Sequence, residues 1–161
     1  MQILIWFCAI GAVALGGVFF AFSSFVMTAL GKLQPAEGIR AMQQINIDVL
    51  CASFVLLFFG LPLGLVALAL MAWRGEAAAP EHYFFWAAAI YCGGSLLVTM
   101  LGNVPLNNRL ARVDADTQEA AQLWRFYQRR WTQWNHLRTL ACVLTGFILL
   151  WGHVMAVGAV G

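Results

Sequence analysis

Four long apolar runs constrain the fold of this 161-residue chain more than any other feature. A bilayer whose hydrocarbon core is about 30 Å thick needs about 20 apolar residues for each helical crossing. Strands of a membrane β-barrel would instead alternate apolar and polar residues over about ten positions. The runs therefore predict an all-α polytopic membrane protein, a four-transmembrane-helix bundle. It forms a single membrane domain over residues 1–161, with spans at about 3–30, 45–73, 83–101 and 137–157.

The composition excludes several classes of protein. Hydrophobic residues make up 62% of the chain and charged residues 10%, whereas soluble domains have about 45–50% and about 25%. A water-soluble enzyme, a disordered tail and a nucleic-acid-binding module are excluded, and the net charge of +2 gives no sign of a nucleic-acid partner. The four cysteines occur singly, without the C-x-x-C spacing of metal sites, so no metal ligands are predicted.

The basic residues indicate how the chain is oriented. Lys32 and Arg40 follow the first run, and Arg74 alone follows the second. Six arginines precede or open the fourth run: Arg109, Arg112, Arg125, Arg129, Arg130 and Arg138. Because loops rich in lysine and arginine stay in the cytoplasm, loops one and three are predicted to be cytoplasmic and both termini outside. The expected location is a bacterial inner membrane.

The loop before the fourth run carries a helix signal. Asp116 followed by Glu119 has the form of a capping box with aspartate as N-cap. An amphipathic helix is predicted at about 117–134, on the cytoplasmic side, continuing into the fourth span. Aromatic residues and one arginine share a face of it: Trp124, Tyr127, Trp131, Trp134 and Arg138. This stripe is typical of an interfacial aromatic belt and equally of an aromatic pocket wall.

Small and polar residues recur at helical spacing in every run and predict inward-facing lines. The lines are Val13, Gly17, Phe20, Ser24 and Thr28; then Asn46, Ser53, Leu57, Gly60 and Gly64; then Tyr91, Ser95, Thr99 and Gly102; and finally Asn135, Arg138, Cys142, Gly146, Leu149 and His153. Their polar members fall mainly in the predicted cytoplasmic half. They indicate either an aromatic-walled pocket with hydrogen-bonding groups at its base or hydrogen bonds that only join helices.

The segment GNVPLNN at 102–108 is the sharpest local motif. Pro105 lacks an N–H group and disfavours helix at Val104, so the third span is predicted to stop there. Asn103 would then cap the next turn, with Asn107 one turn later. Either amide is suited to hold this break or to orient a bound carbonyl or phenol.

Two ionisable residues near the start of the fourth span suggest chemistry. His136 is a candidate proton acceptor because histidine is the residue type suited to proton transfer at neutral pH, although helical spacing separates it from the line of Asn135 and Arg138. Arg138 close to hydrocarbon must snorkel, pair or bind an anion.

Four segments carry a resemblance to a known family. They are GGVFFAFSSFVM at 16–27, AMQQIN at 41–46, GNVPLNNRL at 102–110 and WRFYQRRWTQWNHLRT at 124–139. They resemble the anthrone oxygenase-like family of small four-helix membrane proteins, over nearly the whole chain. The resemblance implies an oxidoreductase that converts an anthrone, a fused tricyclic phenolic ketone, to the anthraquinone with O2.

The resemblance also implies roles for particular residues. His136 would take a proton from the central methylene, and the resulting carbanion would react with O2. The oxyanion would be oriented by the amides of Asn103, Asn107 and Asn135 and receive positive charge from Arg138. The aromatic ring system would contact Tyr127, Trp131 and Trp134, with Asn46, Ser24 and Thr99 completing the substrate pocket.

The expected partners are membrane lipid, an apolar aromatic small molecule and O2, and a homo-oligomer stays open. No cofactor is predicted, with haem, flavin and a metal ion left open. The alternative functions are a lipid- or quinone-binding bundle without chemistry and a structural interaction protein.

Overall fold

The computed structural model describes residues 1–76 and 80–158 and, within them, contains helices and no strand. The helices are α1 (Gln2–Leu30), α2 (Pro35–Asp48), α3 (Ala52–Trp73), α4 (Glu81–Ala111) and α5 (Gln118–Gly158). All except α2 are long and apolar enough to cross a membrane. The prediction of an all-α, four-span integral membrane protein is confirmed.

The four long helices form a bundle with a defined order around its axis. Helix α1 packs against α5 and α3, and α4 packs against the same two neighbours. Helices α3 and α5 therefore occupy opposite corners. The short helix α2 lies across one end of the bundle, where it contacts α5 and the last turns of α4. We call this the α2 end.

The second span begins later than predicted. The apolar residues near Ile45 belong to α2, which ends at Asp48, and α3 begins only at Ala52. Pro35 occupies the first turn of α2, where its missing N–H costs nothing, and the Gln34 N–H donates to the Glu37 carboxylate at 3.2 Å. Helix α2 is amphipathic and buries Ile39 and Met42. Asn46 therefore belongs to α2 and not to a membrane span.

The predicted break in the third span is wrong. Helix α4 runs through Pro105 because it changes to π-helical geometry over Cys92–Leu97 and Thr99–Asn103. A π turn accommodates a residue that cannot supply an α-helical hydrogen bond. Asn103 has helical backbone angles and makes no side-chain cap, so its amide is available to other helices.

The predicted interfacial helix and the fourth span are one uninterrupted helix, α5. Its start differs from the prediction by one residue. The Thr117 hydroxyl accepts a hydrogen bond from the Ala120 N–H at 3.2 Å and so takes the capping role assigned to Asp116. The Asp116 carboxylate instead accepts from Arg40 of α2 at 2.9 Å, which links α2 to the start of α5.

The inward-facing lines are right for α4 and α5 and wrong for α1. Tyr91, Ser95, Asn135 and Cys142 are buried, as their lines predict. In α1, all five predicted members are exposed: Val13, Gly17, Phe20, Ser24 and Thr28. The buried face of α1 carries Cys8, Ala9, Ala12, Leu15 and Phe19 instead. Small residues still provide the close approach on this face, but they are alanine, cysteine, Gly11 and Gly16 and not the predicted Gly17 and hydroxyl groups.

Span two faces inward along only part of its predicted line, where Gly64 packs against Cys8 of α1. Ser53 is exposed, and the buried residues of α3 include Phe58, Leu61 and Leu65. Pro62 lacks the N–H that would bond the Phe58 carbonyl. The Tyr91 hydroxyl of α4 donates to that carbonyl at 2.9 Å, so the proline creates a specific link between two spans.

The interior contains two separate apolar clusters. One fills the bundle away from α2 and includes Leu15, Leu61 and Tyr91. The other joins α2 to α5 and includes Met42 and Trp131. Because α3 starts only at Ala52, the four long helices do not close the space between the clusters. A cavity lies at that level.

Close packing of α4 against α5 gives a direct test of the bundle. A Cβ atom added at Gly94 would lie 2.6 Å from the Ala141 Cβ, whereas one added at Gly93 would meet nothing within 4 Å. Overpacking a tight contact typically costs about 1–3 kcal/mol. We expect Gly94→Ala to lower the free energy of unfolding by about this amount. Gly93→Ala, measured in the same detergent, is the matched control and should not lower it.

Candidate functional site

A cavity of about 160 Å³ lies between the two apolar clusters. We call it the deep cavity. Most of its wall is aliphatic or aromatic, with contributions from α1, α2, α3, α4 and α5. Its aromatic side chains are Phe19, Phe22, Phe54, Phe58, Phe59 and Trp131, and its polar ones are Asn46, Thr99, Asn103, Asn107 and Arg138. An apolar space with a few convergent polar groups is the usual form of a small-molecule site.

Arg138 is the one charged residue that lines this cavity among those the structure describes. Its side chain is buried, with 5% exposure. The guanidinium carbon lies 4.2 Å from the centre of the Phe19 ring and 5.1 Å from that of Trp131. Within the described residues the single salt bridge is Arg40–Asp116, so no carboxylate there balances this charge.

The guanidinium is held in place by neutral groups. It donates to the Asn135 side-chain oxygen and, at 3.3 Å, to the Thr99 hydroxyl. Asn135 in turn donates to the Phe19 carbonyl and to the Ser23 hydroxyl, both at 2.6 Å. These bonds meet α1 where it changes to π-helical geometry over Phe22–Val26. Asn135 thus fixes the orientation of Arg138 without supplying negative charge.

A second amide network closes the α2 side of the cavity. The Asn107 side-chain oxygen accepts from the Tyr127 hydroxyl and from the Trp131 indole N–H, both at 2.9 Å. Asn103 donates to the Trp131 backbone carbonyl at 3.2 Å. The last turns of α4 and the first half of α5 are therefore joined around Trp131, whose ring forms part of the wall.

Three buried side-chain atoms in the described part of the chain have no hydrogen-bond partner: Asn46 Nδ2, Asn103 Oδ1 and Arg138 Nε. All three residues line the deep cavity. Buried polar groups are nearly always paired because an unpaired one costs about 1–3 kcal/mol. The residues of the cavity wall therefore carry two donors and one acceptor that the protein itself leaves unpaired, and one of the donors is cationic.

The structure brings most of the predicted site residues together. Asn46, Thr99, Asn103, Asn107, Trp131 and Arg138 line the deep cavity. Asn135 and Tyr127 lie directly behind it, bonded to Arg138 and Asn107. Helices α4 and α5 and the short helix α2 contribute to this group, although the separation of α2 was not predicted.

Three predicted site residues lie elsewhere. His136 is exposed and lines an open cleft on another face of α5 with Lys32 and Arg129, because one residue of α-helix turns its side chain by about 100° from Asn135. Trp134 is 41% exposed and its ring packs over Gly102, outside the cavity lining.

Ser24 is exposed, and its hydroxyl donates to the Phe20 carbonyl of its own helix at 2.8 Å. The neighbouring Ser23 makes the bond to Asn135 instead.

Sequence reasoning missed the phenylalanines of the wall. Phe19 and Phe22 stand three residues apart on one face of α1, and Phe54 and Phe58 stand four apart on α3. The helical period would have grouped each pair. The predicted line of α1 follows the wrong face of the helix, and a four-residue helical step from the buried Phe19 leads to Ser23 in place of Ser24.

Comparison with known proteins gives one match. Residues 53–149, more than half of the chain, match the model of a family described as anthrone oxygenase. The matched range contains α3, α4 and most of α5, and with them Thr99, Asn103, Asn107 and Arg138. Neither a curated protein nor a solved structure matches the chain.

Proposed function

The chain belongs to the anthrone oxygenase family, and on that premise we propose that it is a membrane oxygenase that oxidises an anthrone-type ketone with O2 at the deep cavity. The observation that carries the proposal is Arg138, a buried cation without a counter-ion at the base of an apolar cavity. A buried unpaired charge is unfavourable by itself and favours a ligand that becomes anionic there.

The chemistry requires an anion of this kind. Loss of a proton from the central methylene of an anthrone gives an enolate whose charge is shared between the ketone oxygen and the methylene carbon. Placing the oxygen against Arg138 stabilises that charge in a low-dielectric site, where one positioned donor changes rates by about 10²–10³. The ring faces of the ligand would contact Phe19 and Trp131.

We propose a proton acceptor other than His136, the one expected from the sequence. No carboxylate or imidazole lines the deep cavity among the described residues, and His136 faces away from it. We therefore assign the proton to a water molecule. Arg138 makes this transfer feasible because it stabilises the enolate that remains.

The remaining steps balance with O2 as the oxidant. The carbanion carbon bonds to O2 and gives a peroxide, which takes up a proton. The O–O bond then breaks, the second methylene hydrogen leaves as a proton, and water departs. One anthrone and one O2 yield one anthraquinone and one water, with the new quinone oxygen coming from O2.

Oxygen labelling tests this function. Purified protein in lipid nanodiscs is given anthrone under ¹⁸O₂, and the quinone is followed by absorbance and mass. We expect faster quinone formation than in empty nanodiscs, with one ¹⁸O atom per quinone. A rate equal to that of empty nanodiscs would reject the oxygenase.

The role of His136 gives a sharp prediction. Because its side chain lies outside the cavity, we expect His136→Ala to retain anthrone oxidation within about threefold of the unaltered protein, which is about 0.7 kcal/mol. The measurement is the initial rate of quinone formation at saturating O2. Loss of a hundredfold or more would restore His136 as the proton acceptor.

A binding protein without chemistry is the second candidate, favoured by the lack of an acidic or imidazole side chain in the described lining. It would hold a phenolate or a quinone through Arg138 and Asn103. Binding of anthraquinone together with an unaccelerated reaction under ¹⁸O₂ would identify this case.

For both candidates we propose the orientation indicated by the basic loops, with the α2 end on the cytoplasmic side of a bacterial inner membrane.

A further inference from the structure

A second cavity adjoins the deep cavity at the α2 end. Its volume is about 520 Å³, and we call it the interfacial cavity. Four residues line both spaces: Asn46, Leu50, Val104 and Asn107. They come from α2, the link after it, and the last turns of α4. The two cavities therefore meet at a wall made of two amides and two aliphatic side chains.

Size argues that one ligand occupies both spaces. A cavity of about 150 Å³ is known to hold a single benzene ring, and the deep cavity has about 160 Å³. A fused tricycle exceeds that volume. The two cavities together fall within the range of about 300–1,000 Å³ that is usual for small-molecule sites.

The lining of the interfacial cavity indicates what it would take. Its polar side chains are amides, and no charged side chain lines it among the described residues. Gln43 uses its amide nitrogen to donate to the carbonyls of Leu110 and Val113 at 2.9 and 3.2 Å. Its side-chain oxygen is left as the acceptor. The lining also holds amide donors, among them the unpaired Asn46 Nδ2. Amide donors and acceptors without a charged side chain in the lining suit a hydroxyl group, which can pair with both, and disfavour a carboxylate, which only accepts.

We infer that the interfacial cavity is a second subsite of the same site, which takes a neutral, hydroxyl-bearing part of the substrate while the ring with the developing oxyanion lies against Arg138. This inference rests on the proposed function. Asn46 and Asn107, at the junction, position the ligand between the two spaces. Ile47 and Ala111, which line the interfacial cavity alone, determine which substituents fit.

The test narrows the interfacial cavity and leaves the deep cavity unchanged. In Ala111→Phe the ring enters the interfacial space from an exposed position. The probes are 2-(hydroxymethyl)anthraquinone, which needs both cavities, and 4-nitrophenolate, which fits the deep cavity alone. We expect the Kd of the quinone to rise at least tenfold and that of the phenolate to stay within twofold, by calorimetry in nanodiscs.

A second narrowing variant and a control variant complete this test. Ile47→Phe narrows the same cavity from α2 and should reproduce the selective loss. Ala29→Phe, at an exposed residue of α1 outside the lining of either cavity, should change neither Kd. In the unaltered protein, anthraquinone-2-carboxylate should bind at least tenfold more weakly than 2-(hydroxymethyl)anthraquinone.

The outcomes separate this inference from the proposed function. Equal effects of Ala111→Phe on both probes, no effect on the quinone, or no quinone binding to the unaltered protein would overturn the subsite. A selective loss with no acceleration of anthrone oxidation would leave the subsite standing and reject the oxygenase. If the protein accelerates anthrone oxidation but Ala111→Phe weakens the binding of both probes equally, the subsite is rejected and the oxygenase stands.

Discussion

Arg138→Met is expected to lower the rate of anthrone oxidation at least a hundredfold without lowering the melting temperature of the protein. The rate falls because the enolate loses its one cationic partner in the cavity, and removal of a single oxyanion donor costs about 2.7–4 kcal/mol of transition-state stabilisation. The measurement is kcat/KM for quinone formation in nanodiscs, beside thermal unfolding of the ligand-free protein.

We expect the melting temperature of Arg138→Met not to fall because Arg138 has no counter-ion whose interaction would be lost. Replacing buried ionic groups by apolar residues of similar volume is often neutral or stabilising. Methionine fills the space between Phe19 and Trp131, while the side-chain oxygen of Asn135 loses the donor that Arg138 supplied. These effects oppose each other. A fall in both activity and melting temperature would instead assign Arg138 a purely structural role.

Two companion variants separate the effect of the positive charge of Arg138 from that of its planar set of donors. Arg138→Lys keeps a positive charge but cannot reproduce the planar set of donors, so we expect an intermediate rate. Arg125→Met removes an exposed arginine of the same helix and should leave the rate unchanged. An Arg138→Met protein that oxidises anthrone at the unaltered rate would reject the assigned oxyanion site.

The sequence was sufficient to predict the bundle because membrane spans depend on run length and composition, which are local properties. It was also sufficient for the inward faces of α4 and α5. Asn135, Arg138 and Cys142 stand at α-helical spacing, and α5 keeps regular α-helical geometry throughout. A constant angle per residue therefore gives the right face there.

The failures have different physical origins. In α1 the predicted line follows the wrong face, whereas a four-residue step from the buried Phe19 leads to Ser23, the partner of Asn135. In α4 the helix continues through Pro105. Hydropathy also could not separate α2 from α3, because Ile45 and Ile47 extend the apolar run across the break. Each of these features depends on contacts between helices.

The π turns and the unpaired polar atoms at the cavity wall indicate that the cavity binds a ligand. The π turns of α1 and α4 place Phe22, Thr99 and Asn103 at the wall, and π turns are frequent at functional sites. The unpaired atoms of Asn46, Asn103 and Arg138 are unfavourable in the empty protein. A ligand that pairs them recovers this free energy, so we attribute the cavity to binding and not to incomplete packing.

Asn107→Leu is expected to lower the free energy of unfolding by about 2–4 kcal/mol. Its side-chain oxygen is the acceptor for both the Tyr127 hydroxyl and the Trp131 indole N–H, and both rings are buried. Leucine leaves two buried donors without an acceptor, each costing about 1–3 kcal/mol. The measurement is reversible unfolding in mixed micelles containing SDS, followed by tryptophan fluorescence.

The adjacent amide provides the control for this last effect. Asn108 is exposed and contacts neither ring through a hydrogen bond, so Asn108→Leu should change stability by less than about 0.5 kcal/mol. Adding Tyr127→Phe to Asn107→Leu removes one unpaired donor, and we expect the double variant to be more stable than the sum of the single changes by about 1–2 kcal/mol. Strict additivity would show that the two side chains act independently and would reject the contribution of the Tyr127–Asn107 hydrogen bond.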